Sequence, residues 1–570
     1  MLFLESYEIT DKILNSSLKN KSQSASAPDR KKRANIVMIN TKKCFKFSAI
    51  AVTALCTLTS GSNAQQDPSY PEDFLSPMPL FETAMGDFHF EITSDSELAQ
   101  RYFNQGFQLM YAFAKIDSAR SFREAQKADP KCAICFWGES WAWGSYLNGA
   151  MTTSDAPRAL AKLQEATERI NEASQLEADM IQSLSTRYIV NFDPAKRRVQ
   201  DQLYADTMAE LYIKYPENLE IATLYADALF LLEERRGYRS LEDPNVIRLH
   251  GVLEDVLSKD LSHPGACHLY VHATESTPTP ELAAPCAQYL GNSIPGASHI
   301  NHMPSHTWNE LGLWQEAIRA NTLAWHSDQK AAVGEGFSIY PTHNLTMLYY
   351  AAAMGGESAT SVQAAKDLAK LNNNTAMHAM SLIRFGRFDE LANLSAEPNG
   401  AVNLAMYQFS QGYAALKLGN TSKASEILSD LWEATNTTTA RFRFHDGKDI
   451  IGALAGILEG EISWEAGNIE GAAESFRKAT EYYDALNYDE PEPLPFSPRH
   501  WLGAAYQALG AFEAAHQQYS LDLDDHPNNI WSLFGANRAL KSLGANTEDS
   551  ELQLKTALEA SDIWLNESKL

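Results

Sequence analysis

Two His-x-x-x-His motifs, His268/His272 and His302/His306, stand 34 residues apart in a chain of 570. On a helix, residues four apart share a face. Thirty-four residues is roughly the length of one helix–turn–helix repeat, so the second pair is expected on the equivalent face of the next hairpin. Glu275 and Asn309 repeat the spacing one turn further on, and eight of the 15 histidines fall between His263 and His343. Neutral imidazoles with a carboxylate are a donor set for zinc, copper or iron. An i,i+4 histidine pair can chelate one ion from a single helical turn. The candidate metal ligands are therefore His268, His272, Glu275, His299, His302 and His306, with His343, beside Asn344, completing a site. Glu275 is also the candidate general base if such a centre is catalytic. The competing reading makes these histidines hydrogen-bonded packing residues. Neighbouring helices pack about 8–10 Å apart, so His272 and His306 share an ion only if both side chains reach inward. Pro304, inside HMPSH, favours a helix start that leaves His299 ahead of the helix. His263 reads as a loop residue, and His326 as a structural residue of a second helix.

These histidines need elements to hold them, and composition bounds what those elements are. The chain is 44% hydrophobic with a formal net charge of −25, which argues against nucleic acid or an anionic membrane surface as partner. No run of 18 or more apolar residues lies in its body, so no membrane span is expected there. From Met38 the sequence has the form of an export signal: Lys42, Lys43 and Lys46, an apolar stretch 47–58, and Ser62-Asn63-Ala64 as a cleavage site after Ala64. Residues 1–37 read as an upstream extension and 65–80 as a Pro-rich linker. A periplasmic or secreted chain follows. Of its six cysteines, Cys44 and Cys56 leave with the signal. Cys132, Cys135, Cys267 and Cys286 remain, and three disulfide pairings are open, Cys132–Cys135 with Cys267–Cys286 being the local one.

Residues 86–93 alternate apolar and polar as a short strand would, and everything after Asp95 patterns as helix. A small residue followed by small or apolar residues 12, 16 and 19 later recurs: Gly106, Ser118, Phe122, Ala125; Gly412, Ala424, Leu428, Leu431; Gly460, Ala472, Phe476, Ala479; Gly503, Ala515, Tyr519, with Asp522 departing at the fourth slot. This pattern resembles tetratricopeptide repeats. It implies an all-α, right-handed superhelical solenoid over residues 81–570, in which small residues let helices approach and large ones fill between hairpins. Trp137, Trp141 and Trp143 are expected to pack between hairpins, residues 484–498 to form an acidic loop over the solenoid end, and Glu548 onward to form a capping helix. No nucleophile elbow, phosphate loop or dinucleotide fingerprint occurs.

The segments RYFNQGFQLMYAF, DPKCAICFWG, HPGACHLYVHATE and HINHMPSHTWNELG also resemble a bacterial family of exported tetratricopeptide-repeat proteins, with Tyr111 and Ala114-Lys115 standing where relatives tend to carry histidine. The resemblance implies first helices lining a concave groove, the histidines facing that groove, and a protein or peptide partner lying along it. Two functions are then expected: an exported interaction module with a His-rich transition-metal site, or a metal-dependent enzyme using the same cluster.

Overall fold

The computed structural model describes residue 70, residues 72–233 and residues 237–570. The export signal and the extension before it lie outside the described residues. The fold is an all-α solenoid of tetratricopeptide-type hairpins, in which each helix packs chiefly on the next. The small-residue rule is visible at Tyr519. A Cβ on Gly503 would stand 2.4 Å from its ring and one on Gly535 2.2 Å, so two helices close on one aromatic only because both positions lack a side chain. Trp137, Trp141 and Trp143 are buried in a first apolar cluster that runs from Phe74 to Ile339, and a second cluster spans Val362 to Ala505. Among the described residues no helix is long and apolar enough to cross a membrane.

Three departures from the sequence reading concern segments outside the hairpins. Residues 86–93 form no strand. Among the described residues the strands are Arg441–Phe442 and His445–Asp446. The extended segment instead spends its backbone donors on side-chain amides of the Glu97–Tyr111 helix: Gln108 accepts from Gly86 at 2.7 Å, Asn104 from Phe90 at 3.2 Å and Gln100 from Ile92 at 3.1 Å. Amide side chains thus replace a partner strand. Residues 70–80 are not a free linker where they are described: Phe74 is buried, with its ring 5.1 Å from that of Trp143. The loop 484–498 does not cap an end. Asp489, Glu490, Leu494 and Phe496 are all buried.

The final residues also turn inward beyond the Glu548–Glu559 helix. Leu570 accepts from the Tyr413 hydroxyl at 2.8 Å, Ser568 donates to the His500 carbonyl at 3.0 Å, and Lys569 pairs with Glu461 at 3.0 Å. The tail therefore lies against the first helices of three hairpins.

Candidate metal centre

Three short helices carry five of the six candidate histidines. Pro264–Thr274 bears His268 and His272, Ser298–His302 bears His299 and His302, and Pro304–Glu310 bears His306. Pro304 does open a helix, as its missing N–H favours. HMPSH is consequently broken at Met303, and His302 and His306 sit on successive helices. His343 comes from the first turn of Pro341–Gly355. The Cys267–Cys286 disulfide ties the first of these helices, next to His268, to Ala284–Leu290; the second disulfide joins Cys132 and Cys135. At the far end of Pro264–Thr274, Arg239 donates to the His272 carbonyl at 2.7 Å, placing a cation where the helix dipole favours one.

The side chains do reach inward. The rings of His272 and His306 are 5.1 Å apart, His268 and His299 5.0 Å, and His302 and His343 4.6 Å. The site is closed, which corrects the groove-facing expectation: His268, His272, His299, His302 and His306 are all buried. Phe113 covers it from one side, its ring 4.2 Å from that of His268. The loop carrying Glu490 covers it from the other, Glu490 Oε2 standing 3.5 Å from His306 Nδ1 and 4.0 Å from His343 Nε2.

Three Nδ1 atoms are hydrogen-bonded in a common pattern, and a fourth stands close to a carboxylate. His268 Nδ1 meets the Tyr111 carbonyl at 2.6 Å, and His272 Nδ1 meets Glu275 Oε1 at 3.0 Å. His306 Nδ1 stands 2.6 Å from Glu275 Oε2. His302 Nδ1 meets Asn321 Oδ1 at 2.6 Å, and that amide is oriented by its own donation to the Ala317 carbonyl at 2.9 Å. The partners of His268, His272 and His302 are acceptors in hydrogen bonds, so those three Nδ1 atoms carry the proton and their Nε2 atoms present a lone pair; the His306–Glu275 approach is close but not aligned as a hydrogen bond. His302 Nε2 and His306 Nε2 face one another at 2.8 Å. His272 Nε2 and both ring nitrogens of His299 have no hydrogen-bond partner among the described residues.

Electrostatics favour the neutral form of His272, His299 and His302 and the ionised form of Glu275. Burial, and then the neighbouring histidines, hold His299 well below the usual imidazole range; burial likewise holds His272 and His302 there. Burial alone would raise the Glu275 carboxyl, but His272 and His306 on its two oxygens more than offset it and keep it well below the usual carboxylate range. Three groups have donor atoms mutually within 4.8 Å: His268, His272 and His299; His302, His306 and His343; and His272, Glu275, His306 and Glu490. All seven candidate residues are thus brought together, and Glu490 joins them. Its sequence signal was only an acidic Pro-rich stretch. His263 instead caps the Pro264–Thr274 helix, accepting from Ala266 N, and His326 is exposed.

Behind His268 a cavity of about 20 Å³, enough for one water, is walled by Tyr111, Trp141, Thr223 and Asp227. Burial pushes the Asp227 carboxyl up to about 6. A raised carboxyl favours the folded state only while protonated, so stability falls as pH rises from the ordinary carboxylate value through about 6 and is level above. Asp227→Asn removes that penalty. Urea unfolding of the metal-free variant is expected to show a gain of at most about 3 kcal/mol at pH 7.5, vanishing below about pH 4. A gain independent of pH would contradict this.

No protein-family model matches the chain, and no curated protein matches it. Solved structures to which it is similar include a human IFIT1 dimer with m7Gppp-AAAA, at 11% identity over 75% of this chain and 90% of that one, with a TM-score of 0.29. The APC/C heterotetramer Cut9–Hcn1 is 14% identical over 83% and 76%, with a TM-score of 0.28. The P58(IPK) TPR domain is 11% identical over 78% and 98%, with a TM-score of 0.20. These are likenesses of fold alone.

Proposed function

We propose that the chain is an exported metalloprotein whose solenoid encloses a centre for two transition-metal ions, one on His268, His272 and His299 and one on His302, His306 and His343. The observation that carries this is the facing pair His302 Nε2 and His306 Nε2 at 2.8 Å, with His302 Nδ1 already on the Asn321 amide oxygen and His306 Nδ1 2.6 Å from the Glu275 carboxylate. Two lone pairs at that separation repel unless a cation stands by them, and burial disfavours supplying it as a proton on His302. Ligand nitrogens on one tetrahedral ion lie about 3.3 Å apart, given bonds of about 2.0–2.1 Å, so small side-chain movements suffice. The unpartnered nitrogens of His299 are accounted for in the same way.

An all-imidazole donor set suits zinc or copper. Glu275, with an oxygen on each of His272 and His306, fits the role of orienting two ligands better than that of ligand or base. Three protein ligands per ion leave a coordination position open, the arrangement of catalytic rather than structural sites. A bound ion there would act as a Lewis acid or hold a small ligand. This chain's own residues fix the imidazole tautomers and keep bulk water out. Export is supported by the four cysteines all being paired. The groove reading is less favoured, because the chain's own tail lies on the first helices.

The test is metal analysis of protein purified without chelator, then titration of metal-free protein with zinc, copper(I) or cobalt(II). Two equivalents per chain are expected. His272→Ala/His306→Ala is expected to abolish tight uptake and the metal-dependent rise in melting temperature, whereas the exposed control His326→Ala leaves both intact. A folded parent that takes up no ion sinks the proposal.

A further inference from the structure

The histidine cluster is buried, so an ion can enter it only past one of its two covers. The covers are built differently. Phe113 belongs to the turn between the Glu97–Tyr111 and Lys115–Ala128 helices, where its N–H donates to the Met110 carbonyl at 3.0 Å. Its ring packs in the first apolar cluster, 5.2 Å from that of Tyr146. Moving it pulls apart a helical hairpin and exposes core, which is costly.

The other cover is the connection 484–498 between the Ile469–Tyr483 and Arg499–Ala508 helices, and it holds no helix or strand. Pro491, Pro493, Pro495 and Pro498 have no backbone N–H to give to one. Leu494 and Phe496 fix its later half in the second apolar cluster, with the Phe496 ring 5.2 Å from that of Trp501. Residues 487–493, ahead of them, read NYDEPEP and bring no aliphatic side chain.

Polar contacts hold that stretch instead. Asp489 meets Arg443 Nη2 at 2.9 Å through one oxygen and His445 Nε2 at 3.1 Å through the other. Arg443 also donates to the Glu490 carbonyl at 3.0 Å. Glu492 accepts from the Tyr483 hydroxyl and meets His526 Nε2 at 3.2 Å. Tyr488 packs its ring 5.7 Å from that of Tyr238, which is itself exposed. Arg443 and His445 belong to the hairpin of Arg441–Phe442 and His445–Asp446, with two residues in each strand. A hairpin so small has little stability of its own. The Arg443 side chain is 30% exposed, so water reaches this contact from outside. Hydrogen bonds that water can replace open at less cost than packed core. Glu490 lies in the same stretch, 3.5 Å from His306 Nδ1, so its movement uncovers the histidines.

We infer that residues 487–493 are a strap that opens to admit and release transition-metal ions, latched by Asp489 on Arg443 and His445. The role rests on the proposed metal centre.

The probe is cobalt(II), followed by its visible absorption during uptake by metal-free protein and during release to excess EDTA. In the parent, the uptake rate is expected to level off at high cobalt, because opening limits it. Arg443→Met is expected to raise both the limiting uptake rate and the release rate tenfold or more, the value of one lost charge-assisted hydrogen bond. Both rates rise by the same factor, so affinity and the two equivalents bound stay as in the parent. Arg443→Lys, which keeps the charge, is expected to fall between the two. Hydrogen exchange of the parent supplies a readout that needs no variant. Metal-free, residues 487–493 are expected to exchange faster than the turn carrying Phe113, and cobalt is expected to slow them. Unchanged rates in an Arg443→Met protein that still takes two ions overturn the strap and leave the metal centre standing. Faster release without faster uptake overturns it too, since Arg443 then supports only the loaded site. Protection at 487–493 equal to that at the Phe113 turn overturns the choice of cover. A parent that takes up no cobalt overturns the metal centre, and the gating role falls with it.

Discussion

Glu275→Leu is expected to unfold the metal-free protein more easily by about 3–5 kcal/mol, the cost of stripping one member from a buried ionic network. The residue is 2% exposed and accepts from His272 at 3.0 Å, with His306 Nδ1 2.6 Å from its other oxygen. Leucine leaves the His272 N–H buried without an acceptor and removes the carboxylate beside His306 Nδ1. Glu275→Gln separates orientation from mere satisfaction. Its single carbonyl serves one histidine, and its amide meets the other with a donor. One ring must then flip or lose its bond, and metal affinity is expected to fall about 10–100-fold, as when other outer-shell partners of ligating histidines are removed. The cobalt spectrum is the deciding readout. If Glu275 only orients the rings, the ion still bound to the glutamine variant keeps the absorption of a nitrogen-ligated site. If the carboxylate is itself a ligand, the band positions and intensities change. A leucine variant as stable as the parent would contradict the network.

The 34-residue recurrence of the histidine pairs was legible because a repeat fold converts sequence period into spatial register. It brought His268, His272, His302 and His306 together in anticipation, and proximity along the chain added His299 and His343. Glu490 was not legible. It reaches His306 from a loop more than 180 residues away, and nothing local marks an acidic loop residue as pointing inward. Closure of the site was illegible for the same reason. The repeat pattern describes what each hairpin does to its neighbour, whereas Phe113 and the loop 489–498 act across hairpins. The misread strand at 86–93 shows the limit of periodicity. Alternation correctly marked an extended, half-buried segment, but its hydrogen bonds go to Gln100, Asn104 and Gln108 rather than to another strand.

The most instructive departure in the repeat pattern is Asp522, and restoring the expected small residue there is expected to destabilise the protein. Asp522 takes a slot where repeats place a small or apolar side chain, and it is 1% exposed. It accepts from His500 Nε2 at 3.0 Å, His526 Nδ1 at 3.1 Å and the Ser532 hydroxyl. His526 in turn reaches Glu492 at 3.2 Å, and Glu492 accepts from Tyr483. The same loop thus sends Glu490 to the histidine centre and Glu492 to this second network, so one buried segment is pinned at both ends. Burial opposes charge on His526, but Glu492 and Asp522 outweigh it and raise it well above the usual imidazole range. Burial would raise Asp522 too, yet His500 and His526 hold it well below the usual carboxylate range. The signs give a window. The Asp522 contribution is present above the unfolded carboxylate pKa and is lost as pH falls through its lower folded value. The His526 contribution is present below the unfolded imidazole pKa and is lost as pH rises through its higher folded value. Between those limits Asp522→Ala leaves three buried donors unmet and is expected to cost about 3–5 kcal/mol. Asp522→Asn keeps one acceptor and is expected to lose less. Urea unfolding from pH 4 to 10 reads both, and the alanine deficit is expected to be largest near neutrality and to shrink on the alkaline side as His526 gives up its proton. An alanine variant as stable as the parent at neutral pH would mean that packing alone governs the slot. A deficit constant across the whole range would mean that the network is held together without its charge.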